Sequence, residues 1–187
     1  MLSILHLFRI GIGPSSSHTV GPMRIAKRFL LNLEVAGLLG DVAGIQVELQ
    51  GSLALTGAGH GSPNACILGL LGFEPDTIDP EKVEEILSNT RSGQVSLLGK
   101  YPIAFDARAD IVLACDIIPT LHPNGMRLRA FSTTGSLLDD ETWYSTGGGF
   151  IASTAQLTNI EAGDFVAAGT HVLRPFGSGA ELLDQCR

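Results

Sequence analysis

Four short stretches gather the side chains that could do chemistry. Gly13-Pro14-Ser15-Ser16-Ser17-His18-Thr19 sets three serines, a histidine and a threonine in a row, ahead of a stretch that repeats like a helix. Hydroxyls, unpaired backbone amides and the positive end of a helix together suit a carboxylate or a phosphate. The plainer reading is a helix cap with spare serines. In Gly57-Ala58-Gly59-His60-Gly61-Ser62, small residues leave the His60 ring room to enter a cavity. An imidazole that titrates at about 6.5 suits proton transfer near neutral pH. Its plainer reading is a surface histidine in a loop. Tyr144-Ser145-Thr146-Gly147-Gly148-Gly149-Phe150 places a hydroxyl beside a glycine run. There a ligand can lie against backbone, or a strand simply bulges. His122-Pro123-Asn124-Gly125 is first of all a turn signal, sufficient without a site role for Asn124.

Other chemistry is excluded. No Gly-x-Ser-x-Gly elbow is present, and the glycine stretches match neither a dinucleotide fingerprint nor a P-loop. The three cysteines, Cys66, Cys115 and Cys186, are far apart and form no Cys-x-x-Cys pair. Cys66 and Cys115 sit in apolar surroundings and read as buried small hydrophobes, so metal ligation by this set is not expected. The net charge is −7, and the densest basic stretch, Arg24, Lys27 and Arg28, reads as a solvated helix face. Nucleic-acid binding needs clustered positive charge and is not expected. No apolar run reaches the roughly 20 residues of a membrane span, and the start lacks the basic residues of a signal peptide. A cytoplasmic location is the expectation.

The elements that must position these residues follow from periodicity. Val20, Met23, Ala26, Leu30 and Leu33 form one helical stripe, closed by Gly37 and Gly40. Val42 to Gln50 alternates as a strand with a slip at Gly44. Ser62 or Asn64 is placed to cap a short apolar helix from Pro63 to Leu71. Asp79-Pro80-Glu81 opens a helix that ends near Asn89. Tyr101 to Phe105, Ala109 to Cys115, Met126 to Phe131 and Leu137 to Tyr144 read as antiparallel strands, with the glycine run interrupting the last before Phe150-Ile151 resumes it. Gly179 to Cys186 reads as a helix, and His171 has no evident partner. With 44 % hydrophobic and 17 % charged residues, the 187-residue chain is globular. The expected fold is α+β: one domain over 1–187 with a mostly antiparallel sheet and a few packed helices.

Several of these segments together resemble one family. Ser3-Ile4-Leu5-His6-Leu7-Phe8-Arg9-Ile10-Gly11-Ile12-Gly13-Pro14-Ser15-Ser16-Ser17-His18-Thr19-Val20-Gly21-Pro22-Met23 closely resembles the opening of bacterial iron–sulfur L-serine dehydratases. Gly51-Ser52-Leu53-Ala54-Leu55-Thr56-Gly57 with Gly59-His60, then Asn124-Gly125-Met126, then Tyr144-Ser145 with Gly147 to Ile151, fall in the family's order. Pro175-Phe176 through Glu181-Leu182-Leu183 to Cys186 also fits, so the resemblance covers nearly the whole chain.

The resemblance implies a two-part enzyme of amino-acid catabolism. A β domain, matched here, works with a catalytic α domain whose cysteines hold a [4Fe–4S] cluster. This chain is expected to bind no cofactor itself. The α domain is then either cut from it or a separate polypeptide, and the fragment alone is inactive. In the family the open iron acts as a Lewis acid on the substrate hydroxyl, a base takes the α-proton, and L-serine becomes pyruvate and ammonia without pyridoxal phosphate. By resemblance, His60, His18 and Ser145 are the catalytic candidates. Ser15, Ser16, Ser17, Thr19, Asn124, Gly147 and Gly148 are the candidates for binding L-serine, and no residue is assigned to a metal. A homodimer is compatible with all of this. One departure stands out: family members often carry a second histidine and Thr-Asp after Gly-His, where this chain has Gly61-Ser62-Pro63. Pro63 supplies neither a carboxylate nor an amide donor. The competing expectation is a regulatory module that binds L-serine or another small acid without chemistry, since the family's β domain is similar to allosteric substrate-binding domains of some dehydrogenases. A third is an interaction domain whose glycine loops are only turns.

Overall fold

A computed structural model describes residues 11–90, 93–159 and 178–186. They fall in two compact units, one spanning Arg9–Asn159 and the other comprising Met1–Phe8 with Ile160–Arg187. The first residues of the family-like opening, Ser3 to Ile10, and His171 and Pro175-Phe176 lie outside the described residues.

The larger unit is α+β, built on a five-stranded sheet and a small hairpin. Its first helix, α1 (Gly21–Val35), follows a π-helical turn, Ser16–Val20. The apolar stripe that predicts α1 is the face it buries: Met23, Ala26, Phe29, Leu30 and Leu33 are all fully buried. Burial of a side chain of this size contributes about 1.5–3 kcal/mol. Of the basic residues expected to be solvated, Arg28 is exposed. Lys27 instead pairs with Glu74 at 2.8 Å, and Arg24 Nη1 donates to the Gly149 carbonyl at 2.9 Å.

Strand β1 (Val42–Gly51) is central, with the predicted slip present as a register shift between Val42 and Gly44. Its residues Ile45, Val47 and Leu49 face the same side as Ala130, Leu128 and Met126 of β5 (Asn124–Ser132), their cross-strand partners. All six belong to the core. The opposite side is polar. Arg127 of β5 grips Asp140 of β6 (Leu137–Gly147) with two bonds of 2.8 and 2.6 Å, and Gln50 donates to Glu48 at 2.7 Å. The guanidinium holds the Asp140 carboxyl below its ordinary value.

Two expectations about the sheet are corrected. Strand β4 (Ile111–Ala114) does not join an antiparallel meander; it runs parallel to β1 at the sheet edge. Strand β3 (Tyr101–Ala104) leaves the sheet to pair with a strand the sequence reading missed, β2 (Gln94–Leu97). With β7 (Phe150–Ser153) at the far edge, the strand order is β4-β1-β5-β6-β7, with β4–β1 its one parallel pair. The glycine run does more than interrupt one strand: the expected irregularity is present as a register shift between Ser145 and Gly147, and a chain reversal follows it. Gly147, Gly148 and Gly149 all have positive φ and reverse the chain into β7, which pairs antiparallel to β6. A run of left-handed residues is cheap only for glycine.

Helix α2 (Ser52–Thr56) follows β1 directly. The joint needs Gly51, whose φ is +54° and whose missing Cβ would stand 2.3 Å from the Pro123 carbonyl. Helix α3 (Ser62–Leu70) packs against α1, while α4 (Val83–Thr90) follows a turn capped by Asp79, as expected. Helices α5 (Ala107–Asp110) and α6 (Thr154–Thr158) are short. Neither Ser62 nor Asn64 caps α3; its N-cap is Gly61, without a side-chain bond. In the smaller unit, α7 (Gly179–Gln185) forms where predicted, with the Ser178 hydroxyl accepting from the Glu181 amide at 3.2 Å. No helix among the described residues is long and apolar enough to cross a membrane.

The α1–α3 contact is close enough to be tested. A methyl group at Gly69 would lie 2.2 Å from the Met23 carbonyl and 2.8 Å from Ala26 Cβ. Gly69→Ala is expected to cost about 1–3 kcal/mol in urea unfolding, the usual penalty for overpacking. Gly44→Ala, where nothing lies within 4 Å, is expected to stay within about 0.5 kcal/mol of the parent.

Candidate active site

The ends of three strands bring the predicted residues together. Gly51 at the close of β1 is the register partner of Asn124 at the start of β5, and Gly125 pairs with Tyr144 near the end of β6. The π-helical turn, the first residue of α2 and the α2–α3 loop meet at this end of the sheet.

His18 sits on the π-helical turn with both ring nitrogens engaged. Nδ1 lies 2.8 Å from Ser17 Oγ and Nε2 lies 3.0 Å from Ser52 Oγ. A serine hydroxyl can donate or accept, so either neutral tautomer is served. The His60 ring is 5.0 Å away, centroid to centroid, tilted by 44°. His60 Nδ1 is 2.9 Å from the Thr56 carbonyl, which only accepts. In the neutral ring Nδ1 therefore carries the proton and Nε2 the lone pair. That Nε2 has no partner among the described residues.

The loop itself is closed by its own hydroxyls. Ser15 Oγ accepts the His18 amide at 3.2 Å and touches Ser17 Oγ at 3.3 Å. Thr19 is buried and donates to the His60 carbonyl at 2.9 Å, tying the two histidine segments together. Ser62, fully buried, donates to the His18 carbonyl. Its hydroxyl thus serves the histidine loop instead of its own helix.

Ser145 and Asn124 lie one step further back. Ser145 is fully buried, and its hydroxyl donates to the Ser17 carbonyl at 2.7 Å. Asn124 is buried too, and its Nδ2 donates to the Ser145 carbonyl at 3.0 Å. Ser16 is exposed. Gly147 ends β6 and Gly148 opens the turn to β7, two and three residues beyond Ser145.

Sequence reasoning passed over Ser52 as a site residue and read Ser62 only as a cap. The signal for Ser52 was its place right after a strand and a glycine, where a chain turns into a helix at the end of a sheet.

These residues do not fit an iron–sulfur cluster. No three His, Cys, Asp or Glu residues converge for a metal among the described residues. Burial pushes the Cys66 thiol up to about 12, far from a thiolate ligand. Cys115, expected to be buried, is exposed, because it follows the edge strand β4 into a surface loop.

Burial, and secondarily the nearby His60, hold His18 below its ordinary value, while the backbone of Ser52 works the other way. Burial also lowers His122, whose Nδ1 accepts the Asn124 amide at 3.2 Å. A histidine with a depressed folded value binds fewer protons than the same histidine in the unfolded chain, so stability rises with pH across that window. Unfolding free energy is expected to fall as pH drops below about 6.5, the unfolded value, and to level off below the folded values. Urea titrations of the parent and of His18→Gln check this, the variant having the shallower loss.

The family model for the serine dehydratase beta chain matches residues 3–156. The L-serine dehydratase of Streptomyces coelicolor is 44 % identical over 187 residues, which is 100 % of this chain and 40 % of that protein. That of Mycobacterium tuberculosis is 45 % identical over 186 residues, 99 % of this chain and 39 % of its own length. L-serine dehydratase 2 of Escherichia coli is 37 % identical over 189 residues, 100 % of this chain and 40 % of that protein. This chain spans about two fifths of the length of these curated relatives. A match that takes in the serine loop, both histidine segments and the strand ends that carry Asn124 and Ser145 leads to one conclusion: the chain belongs to the serine dehydratase beta chain family.

Proposed function

We propose that this chain is the β domain of an L-serine dehydratase and forms one wall of the site that converts L-serine to pyruvate and ammonia. The observation that carries this reading is the Nε2 of His60, without a partner among the described residues, next to a histidine and a set of serines at one end of the sheet, in a chain of this family. The cluster and the α domain that holds it belong to the part of the protein beyond these residues, either in the same polypeptide or in a separate one.

His60 takes the α-proton of L-serine on Nε2. Its proton on Nδ1 stays with the Thr56 carbonyl, so the ring does not turn as it charges. The Cα–H electron pair becomes the new C=C bond as the Cβ–O bond breaks, and the departing hydroxide takes the proton from His60 Nε2, so that it leaves as water and the ring returns to its neutral form. The resulting enamine tautomerises to an imine, and water hydrolyses it to pyruvate and ammonia. His18 stays neutral beside His60. The Ser15–Ser17 loop, with Ser16 exposed on it, meets the polar groups of the substrate, and Thr19 fixes the backbone of His60. Asn124 and Ser145 hold that loop from behind. Gly147 and Gly148 leave room for substrate against the backbone.

His60→Ala in the full-length protein is expected to lower kcat by about 10²–10⁴, the range for losing a general base, with no matching loss of stability. Near-normal pyruvate release would remove His60 from this role. Ser145→Ala has a different signature. It leaves the half-buried Ser17 carbonyl without the Ser145 donor, which costs about 1–3 kcal/mol in unfolding, and it lowers activity less than His60→Ala does. Iron content and pyruvate release are measured for this chain alone and for the full-length protein. Both are expected only in the latter. L-serine binding without turnover by the full-length protein would favour a regulatory module instead.

A further inference from the structure

The protons around His18 can be counted one by one. The hydroxyls of Thr19, Ser62 and Ser145 are committed to the carbonyls of His60, His18 and Ser17. Those of Ser15, Ser17 and Ser52 remain, joined through the ring by three contacts of 3.3, 2.8 and 3.0 Å. With a neutral ring, three hydroxyl protons and one ring proton serve these three contacts. One proton is left over, and it sits on a serine, because both ring nitrogens already face a hydroxyl. When the ring is charged, both nitrogens donate and Ser52 accepts.

Ser52 does not behave as a helix cap. A capping serine aims its oxygen at amides of its own first turn. The Ser52 hydroxyl instead meets a ring 34 positions away in sequence. Its backbone is pinned on two sides: its amide donates to the Pro123 carbonyl at 2.9 Å, and its carbonyl accepts the Thr56 hydroxyl at 2.9 Å. A hydroxyl on so fixed a backbone has few ways to move, as a supporting group for a site requires.

We propose that Ser52 is a positioning residue. Its hydroxyl holds His18 Nε2, sets the ring against His60 and, with Ser17 on the other nitrogen, denies both His18 nitrogens to the substrate. His60 Nε2 is then the proton acceptor that remains. This inference rests on the lyase reading above for its kinetic consequence, but not for its geometry.

In the full-length protein, Ser52→Ala is expected to lower kcat/KM for L-serine about tenfold, the scale of one lost hydrogen bond, and Ser52→Thr is expected to recover most of it. In a His18→Phe background, Ser52→Ala is expected to add nothing, because it acts through the ring. An equal loss in both backgrounds would mean that Ser52 touches substrate directly, and would overturn the proposal. The second readout needs no turnover. In nitrogen-15 NMR of the 187-residue chain, Ser52→Ala is expected to shift the His18 Nε2 signal and to lower the pH at which His18 titrates. An unchanged His18 signal would overturn the clamp whatever the enzyme does. A changed signal in a protein without L-serine turnover would count against the lyase reading alone.

Discussion

The carbonyl oxygens of Ser17, His18 and His60 are each met by a side-chain hydroxyl, from Ser145, Ser62 and Thr19. The positions of both histidines follow from these three bonds. A buried carbonyl without a donor costs a large fraction of a domain's net stability, so the loop cannot drift from its hydroxyls without loosening the fold. The same constraint explains why so many serines and threonines surround a site in which few of them are free. Most of the hydroxyls that look catalytic in a list of residues are spent on backbone.

The sheet supplies the other half of the frame. The β1–β5 register sets Gly51 opposite Asn124, and the β5–β6 register sets Gly125 opposite Tyr144, so the carboxyl ends of β1 and β6 and the start of β5 finish together. A slip of one residue in either ladder would turn Leu49 and Met126 out of the core as it moved Ser52 or Ser145 away from the loop. Core packing and site geometry are therefore specified by the same register. The Gly51 joint adds a limit of its own, because a side chain there would meet the Pro123 carbonyl before Ser52 reached His18.

Much of this was legible in the sequence where a period carries the signal. The stripe of Met23, Ala26, Leu30 and Leu33 foretold α1, and the slip at Gly44 foretold the irregularity in β1. Pairing partners were not legible. Nothing in Ile111–Ala114 distinguishes a parallel edge strand from an antiparallel one, because four residues carry no register. The glycine run at 147–149 signalled backbone freedom but not chain reversal. In the site, the chemistry of His18 and His60 was visible in their neighbours, whereas their 5.0 Å approach depends on a fold that joins positions 18, 52 and 60. Ser52 and Ser62 were passed over for the same reason. Each looks like an ordinary helix start until the partner of its hydroxyl is known.

The pairing of the two rings also bears on how the site works once covered. Two positive rings about 5 Å apart repel by about 1 kcal/mol in water, and by several times that once the surroundings are dry. A second protein surface closing over His60 would therefore hold at least one ring neutral more firmly than the open site does. His18 is the one already pushed that way, by burial and by its neighbour. Its two serines can serve it as a neutral ring in either tautomer, so its hydrogen bonds persist without a charge. His60, with Nδ1 fixed on Thr56, can then accept a proton at Nε2 without competing with a charged neighbour. In the proposed reaction, such a closure would be coupled to proton transfer through that repulsion, and the hydroxyls on His18 would keep their bonds to the neutral ring throughout.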